Sequence, residues 1–94
     1  MTRQYLCGEL SLRLASLRQL LGAGPAATID DLRHRAESAA PATLPVIIAD
    51  ALQVCTASCW DALAAGDVAG FEQLAGQAAQ LREFAVCAQL LDED

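Results

Sequence analysis

The chain has 94 residues, 12 acidic and 6 basic, for a net charge of −6. That length makes one domain with a modest core, and the charge opposes binding to nucleic-acid phosphates or anionic membranes. Hydrophobic residues make up 54% and aromatic ones only 4%, an alanine-rich balance that favours close-packed helices over sheets. All six basic residues are arginine; with the alanine content, this points to a GC-rich bacterial genome rather than to a function.

Gln4–Leu21 is predicted to be the first helix. Leu6, Leu10, Leu14, Leu17 and Leu21 recur every three or four residues, which lines one face with leucine. Leu12 and Leu20 lie off that stripe and widen it. Gly22, Gly24 and Pro25 are expected to end the helix. Glu9, Arg13 and Arg18 interrupt the N-terminal apolar stretch, so no signal peptide is predicted. The arginines of this first third alternate with Glu9, Asp30, Asp31 and Glu37, giving a mixed surface instead of a basic patch.

A shorter second helix is expected from Thr28. Thr28 and Asp31 approximate a capping box, and Asp30 and Asp31 would lie in a first turn that favours anions. Ile29, Leu32, Ala36 and Ala39 form its thin apolar line, and Ala40-Pro41 closes it. His34, the sole histidine, stands between two arginines. Glu37 is the nearest carboxylate on that face and is expected to pair with Arg33. Without a nucleophile or an orienting carboxylate of its own, His34 reads as part of a solvated face.

The longest apolar segment, Leu44–Gly66, is predicted to be the central helix. One side collects Leu44, Ile47, Ile48, Ala51, Leu52, Cys55, Cys59, Ala62 and Leu63; the other carries the thin polar line Asp50, Gln53 and Asp61, with Ala57 between them. Pro45 suits a first turn, Thr43 an N-cap, and Gly66-Asp67 a C-cap glycine followed by the next N-cap. No unbroken run of 18 apolar residues occurs, so no transmembrane helix is predicted. The chain is expected to be cytoplasmic, with its cysteines reduced.

A fourth helix should run from about Val68 to Leu91. Phe71, Leu74, Ala75, Ala78, Leu81, Ala85 and Ala88 mark its inner face, and Phe84 and Leu91 shift that stripe sideways. Asp92-Glu93-Asp94 is an acidic tail placed against the helix dipole. Three long amphipathic helices and one short one predict an all-α, antiparallel four-helix bundle, a single domain over residues 1–94.

Few residues invite chemistry. Cys55 and Cys59, at i and i+4, have Cβ atoms about 5–6 Å apart in a helix, too far for a disulfide. They offer two thiolates, whereas a closed zinc site needs four ligands. In an up-down bundle Cys7 and Cys87 would share one end, on the order of 10 Å along the axis from Cys55. A Cys7–Cys87 bridge is geometrically conceivable, but Cys87 falls on the polar side of its helix. Asp50 and Asp61 are three turns apart and cannot share a proton or a metal. Gly22-Ala23-Gly24-Pro25 lacks the lysine and the preceding strand of a phosphate loop. An enzyme is therefore not expected, and no cofactor is implied.

Trp60 stands out. It lies about 130° around the central helix from the core direction, beside Val46, Ala49 and Thr56, by the helix's 100° per residue. Unless a fourth helix covers them, these four residues are interface candidates for a homodimer or another protein. The resulting expectation is a non-enzymatic, cytoplasmic helical protein that acts through protein–protein contact and self-associates. The alternative is a thiol-based metal or redox protein using Cys55 and Cys59.

Overall fold

The computed structural model describes residues 3–38, 40 and 43–92. The described residues form four α-helices and no strand: α1 (Arg3–Arg18), α2 (Ala23–Ser38), α3 (Leu44–Ala64) and α4 (Val68–Asp92). They pack against one another, most extensively as the consecutive pairs α1/α2 and α3/α4; α2 joins the pairs by lying against α3, and α1 touches α4 more lightly.

The first link differs from the sequence expectation. α1 closes at Arg18, and the N–H groups of Leu20 and Leu21 bond back to the Leu17 and Arg18 carbonyls at 3.0 and 3.1 Å. α2 begins at Ala23, so Gly24 and Pro25 open α2 instead of terminating α1. A proline is harmless there, because first-turn N–H groups have no intrahelical partner. Thr28 is consequently not a cap. It lies inside α2, where its hydroxyl donates to the Gly24 carbonyl at 3.5 Å. The early start makes α2 16 residues long, equal to α1, while α3 and α4 have 21 and 25.

The link from α3 to α4 follows the sequence signals closely. Pro45 occupies the first turn of α3, although Thr43 makes no side-chain cap bond and is itself helical at φ −88°. At the far end Gly66 adopts φ +77°. The Asp67 N–H bonds the Ala62 carbonyl at 2.9 Å, and the Gly66 N–H bonds that of Leu63 at 3.1 Å. This nested pair satisfies two carbonyls that the helix end would otherwise leave bare, and it needs a left-handed residue between them. Asp67 then caps α4, its Oδ1 accepting from the Gly70 N–H at 3.0 Å. A Cβ at residue 70 would run into that carboxylate, so glycine suits the third position of the helix.

The core is aliphatic. Leu10, Leu14 and Leu17 from α1 meet Ile29, Leu32 and Ala36 from α2, and Leu44, Ile47, Ile48, Ala51, Cys55 and Cys59 from α3. From α4, Leu74, Ala78, Leu81 and Phe84 complete it, with Phe71 and Ala85 half-buried at its margin. No polar or charged side chain is buried among the described residues. Leu12, expected to widen the apolar face of α1, is 65% exposed, and two inner-face assignments are corrected as well: Leu63 and Ala75 are exposed. Each follows a residue that does face inward, Ala62 or Leu74, and one step along a helix turns the side chain by about 100°. The expectations for the side chains of Leu6, Ala39, Cys87, Ala88 and Leu91, for Pro41 and for the Glu93-Asp94 end lie outside the described residues.

The shape determines what is left over. The described chain measures 44 × 22 × 16 Å between its extreme Cα positions. With helices about 10 Å across, 16 Å allows two layers and no third. Each helix can bury only one side, including α3, whose outer side also carries large apolar side chains.

Candidate interaction surface

The outward side of α3 carries three of the large hydrophobic side chains that the fold leaves exposed. Trp60 is 65% exposed, Val46 53% and Leu63 46%, and Ala49, Gln53 and Thr56 between them are exposed too. Among the described residues no helix covers Trp60. Val46, Ala49, Gln53, Thr56, Trp60 and Leu63 follow one another at spacings of three, four, three, four and three, which places all six on one stripe. Ala57 and Ala64 border the stripe and carry no charge. The nearest charges, Asp50 and Asp61, stand together along one edge, and Asp50 faces away towards Arg35 of α2 at 3.8 Å.

The sequence singled out four members of this stripe: Val46, Ala49, Thr56 and Trp60. It missed Gln53, read as part of a polar line, and Leu63, read as core. The three-four alternation is present in the sequence but masked by the polar side chain at 53 and by the strong hydrophobicity of Leu63.

Ionic groups lie elsewhere and pair with each other. Arg18 of α1 holds Asp30 of α2 at 2.7 Å, and Arg33 approaches the same carboxylate at 3.8 Å. Glu37 therefore does not serve Arg33, as expected from sequence; it lies 4.0 Å from His34 Nδ1, and both side chains are well exposed. Arg13 bonds Glu9 at 2.7 Å and stacks its guanidinium 5.1 Å from the centroid of the Phe84 ring, a cation–π contact that ties α1 to α4. A shallow open concavity of about 850 Å³ beside α1 is lined by Tyr5, Cys7, Glu9, Leu12 and Glu37. Glu9 is already neutralised by Arg13, and the hollow is too open to exclude water.

Cys55 and Cys59 are both buried and both free thiols. The Cys55 thiol donates to the Leu74 carbonyl of α4 at 3.1 Å. Burial, and secondarily the neighbouring Cys59, push the Cys55 thiol up from 9.0 to about 11. A metal ligand or redox nucleophile must be a thiolate, and this site works against one. No group of three or more metal-ligating side chains occurs among the described residues. Cys7 is half-buried and free, and Cys87's side chain lies outside the described residues.

α3 is also long and apolar enough, by length and composition, to cross a membrane, with a mean hydropathy of 1.4 over 18 residues. The sequence expectation asked for an unbroken run; Asp50 and Asp61 break the run without lowering the mean far. A core helix passes the same test, and α3 supplies six buried core side chains. Comparison with protein-family models, with curated proteins and with solved structures finds no match for this chain.

Proposed function

We propose that this is a non-enzymatic helical protein of the bacterial cytoplasm that acts through protein–protein contact as a homodimer. In this reading the four helices run antiparallel, as their short links favour, and the bundle presents the outward side of α3 to its partner. The observation that carries the reading is Trp60. It is the only tryptophan of the chain and 65% exposed, on a stripe without a charge. Tryptophan is the residue type most enriched among side chains that dominate binding energy. In a chain with 12 acidic residues, a charge-free helix face lets two copies approach without carboxylates meeting.

The absence of enzymatic activity is part of the proposal, and three features support it. The described core holds no polar side chain. The described acid groups at Asp30 and Glu9 are engaged by arginine, and the Cys55 thiol is held protonated. Cysteines packed as thiols suit a reducing compartment.

Native mass spectrometry of the reduced protein tests the reading. A dimer without added mass in the wild type, replaced by monomer in Trp60→Ala, is the expected result. A monomer at every concentration contradicts self-association. A mass excess matching a bound metal would turn attention to Cys55 and Cys59.

A further inference from the structure

The stripe on α3 has an internal order that reaches beyond the statement that it binds a second copy. We propose that two α3 helices pack antiparallel about a two-fold axis passing between Gln53 and Thr56. This rests on the homodimer reading above and specifies its register.

The argument begins with spacing. Alternating steps of three and four are the seam positions of a left-handed helix pair, which keep one line of side chains facing the partner along its length. From Val46 to Leu63 the seam runs about 25 Å at 1.5 Å per residue. Turned end for end about its centre, the stripe falls on itself. Val46 then meets Leu63 of the partner subunit, Ala49 meets Trp60 of the partner subunit, and Gln53 meets Thr56 of the partner subunit.

Each layer is matched in kind. Val46 and Leu63 are both aliphatic and both about half exposed. The largest side chain of the stripe lies opposite the smallest, so the indole fills the space that alanine leaves and layer volumes stay nearly constant, as close packing requires. At the centre an amide faces a hydroxyl, each able to donate and to accept. A polar pair placed once in an apolar seam sets register, because any slip leaves it unpaired.

A parallel, in-register pair fails on the same residues. It sets Trp60 against Trp60 of the partner subunit and Ala49 against Ala49 of the partner subunit, which overfills one layer and empties another. The flank also suits the antiparallel arrangement. Asp50, Ala57 and Ala64 share the edge beside the seam, and end-for-end pairing makes Ala57 of the partner subunit, about 3 Å off level, the nearest residue of that edge to Asp50, not a second carboxylate. Antiparallel helices further oppose their macrodipoles favourably.

The pairing of Ala49 with Trp60 yields a swap experiment. Dimer dissociation constants are measured by sedimentation equilibrium for the wild type, Trp60→Ala, Ala49→Trp and the double variant Ala49→Trp/Trp60→Ala. Both positions are exposed, and circular dichroism of each variant verifies the fold. Each single variant is expected to weaken association by at least about 30-fold, the scale of a hot-spot residue. The double variant is expected to recover to within about 5-fold of the wild type, because exchanging the two residues rebuilds the same layer.

Single variants that weaken the dimer with no recovery in the double variant would overturn the register and leave self-association through α3 standing. A wild-type dimer indifferent to both single variants would overturn the register and the use of this face together. A monomeric wild type would overturn the homodimer reading itself.

Discussion

The two long sides of α3 have opposite surroundings, and the outer one differs in composition only at its centre, where Gln53 and Thr56 stand. The inner side, Leu44, Ile47, Ile48, Ala51, Cys55 and Cys59, is enclosed by residues of the other three helices. The outer side, Val46, Ala49, Gln53, Thr56, Trp60 and Leu63, is covered by nothing within the described chain. Four of the six outer residues are apolar against all six inside, so rotation about the helix axis separates the sides more sharply than composition does. The described residues, folded two layers thick, leave no element to cover the second side. Apolar surface that the fold leaves exposed in one strip is the usual mark of a contact site.

If the two sides differ as described, substitutions on them should separate folding from association. The largest effect on stability is expected inside. Ile47→Ala should cost about 2–5 kcal/mol in urea unfolding, through lost burial and the cavity left behind. Trp60→Ala, measured below the dimerisation range, should change monomer stability by no more than about 0.5 kcal/mol. Comparable losses at the two positions would break the distinction between the sides.

Alkaline pH sharpens the same contrast at Cys55. Below about pH 9 its thiol is protonated in both folded and unfolded chains. Between 9 and about 11 the unfolded chain releases the proton while the folded chain keeps it, so stability falls as pH rises through that window. A two-unit separation corresponds to about 2–3 kcal/mol. The check is the stability difference between wild type and Cys55→Ala across pH 8–11, which cancels other titrating groups; a flat difference would show that burial does not hold the proton.

Smaller effects belong to the links and the rim. Gly66→Ala forces a Cβ into a left-handed conformation and should cost about 1–2 kcal/mol. Asp67→Ala removes the cap of α4 and should cost about 1 kcal/mol. Thermal unfolding measures both, and an unchanged midpoint would show that the α3–α4 turn is not fixed by these residues. Arg35→Ala deletes the exposed pair with Asp50 and should cost less than about 1 kcal/mol, with most of that small loss disappearing in high salt.

The sequence was most informative where the signal is a local backbone constraint. Pro45, Gly66 and Asp67 placed the ends of α3 and α4 because each residue type satisfies a particular need of a helix terminus. Gly24-Pro25 is ambiguous for a related reason: proline is at home both in the first turn of a helix and just beyond the end of one, and only packing decides between them. Leu10, Leu14, Leu17, Ile47 and Leu81 were legible as core from period alone. Leu63 and Ala75 were not, because hydrophobicity records what a residue tolerates and not whether a neighbour exists. Trp60 was placed off the core direction by helical geometry; its exposure depends on the number of layers, which no local signal records.

The most direct measurement uses Trp60 as its own reporter, since no other tryptophan contributes to the emission. Iodide quenching of its fluorescence would be followed from nanomolar to high micromolar protein in parallel with the sedimentation mass. The account predicts an open, readily quenched indole in the dilute monomer, shielded and blue-shifted as the dimer forms. An indole that stays equally quenchable while the protein dimerises, or a protein that never dimerises, would contradict it.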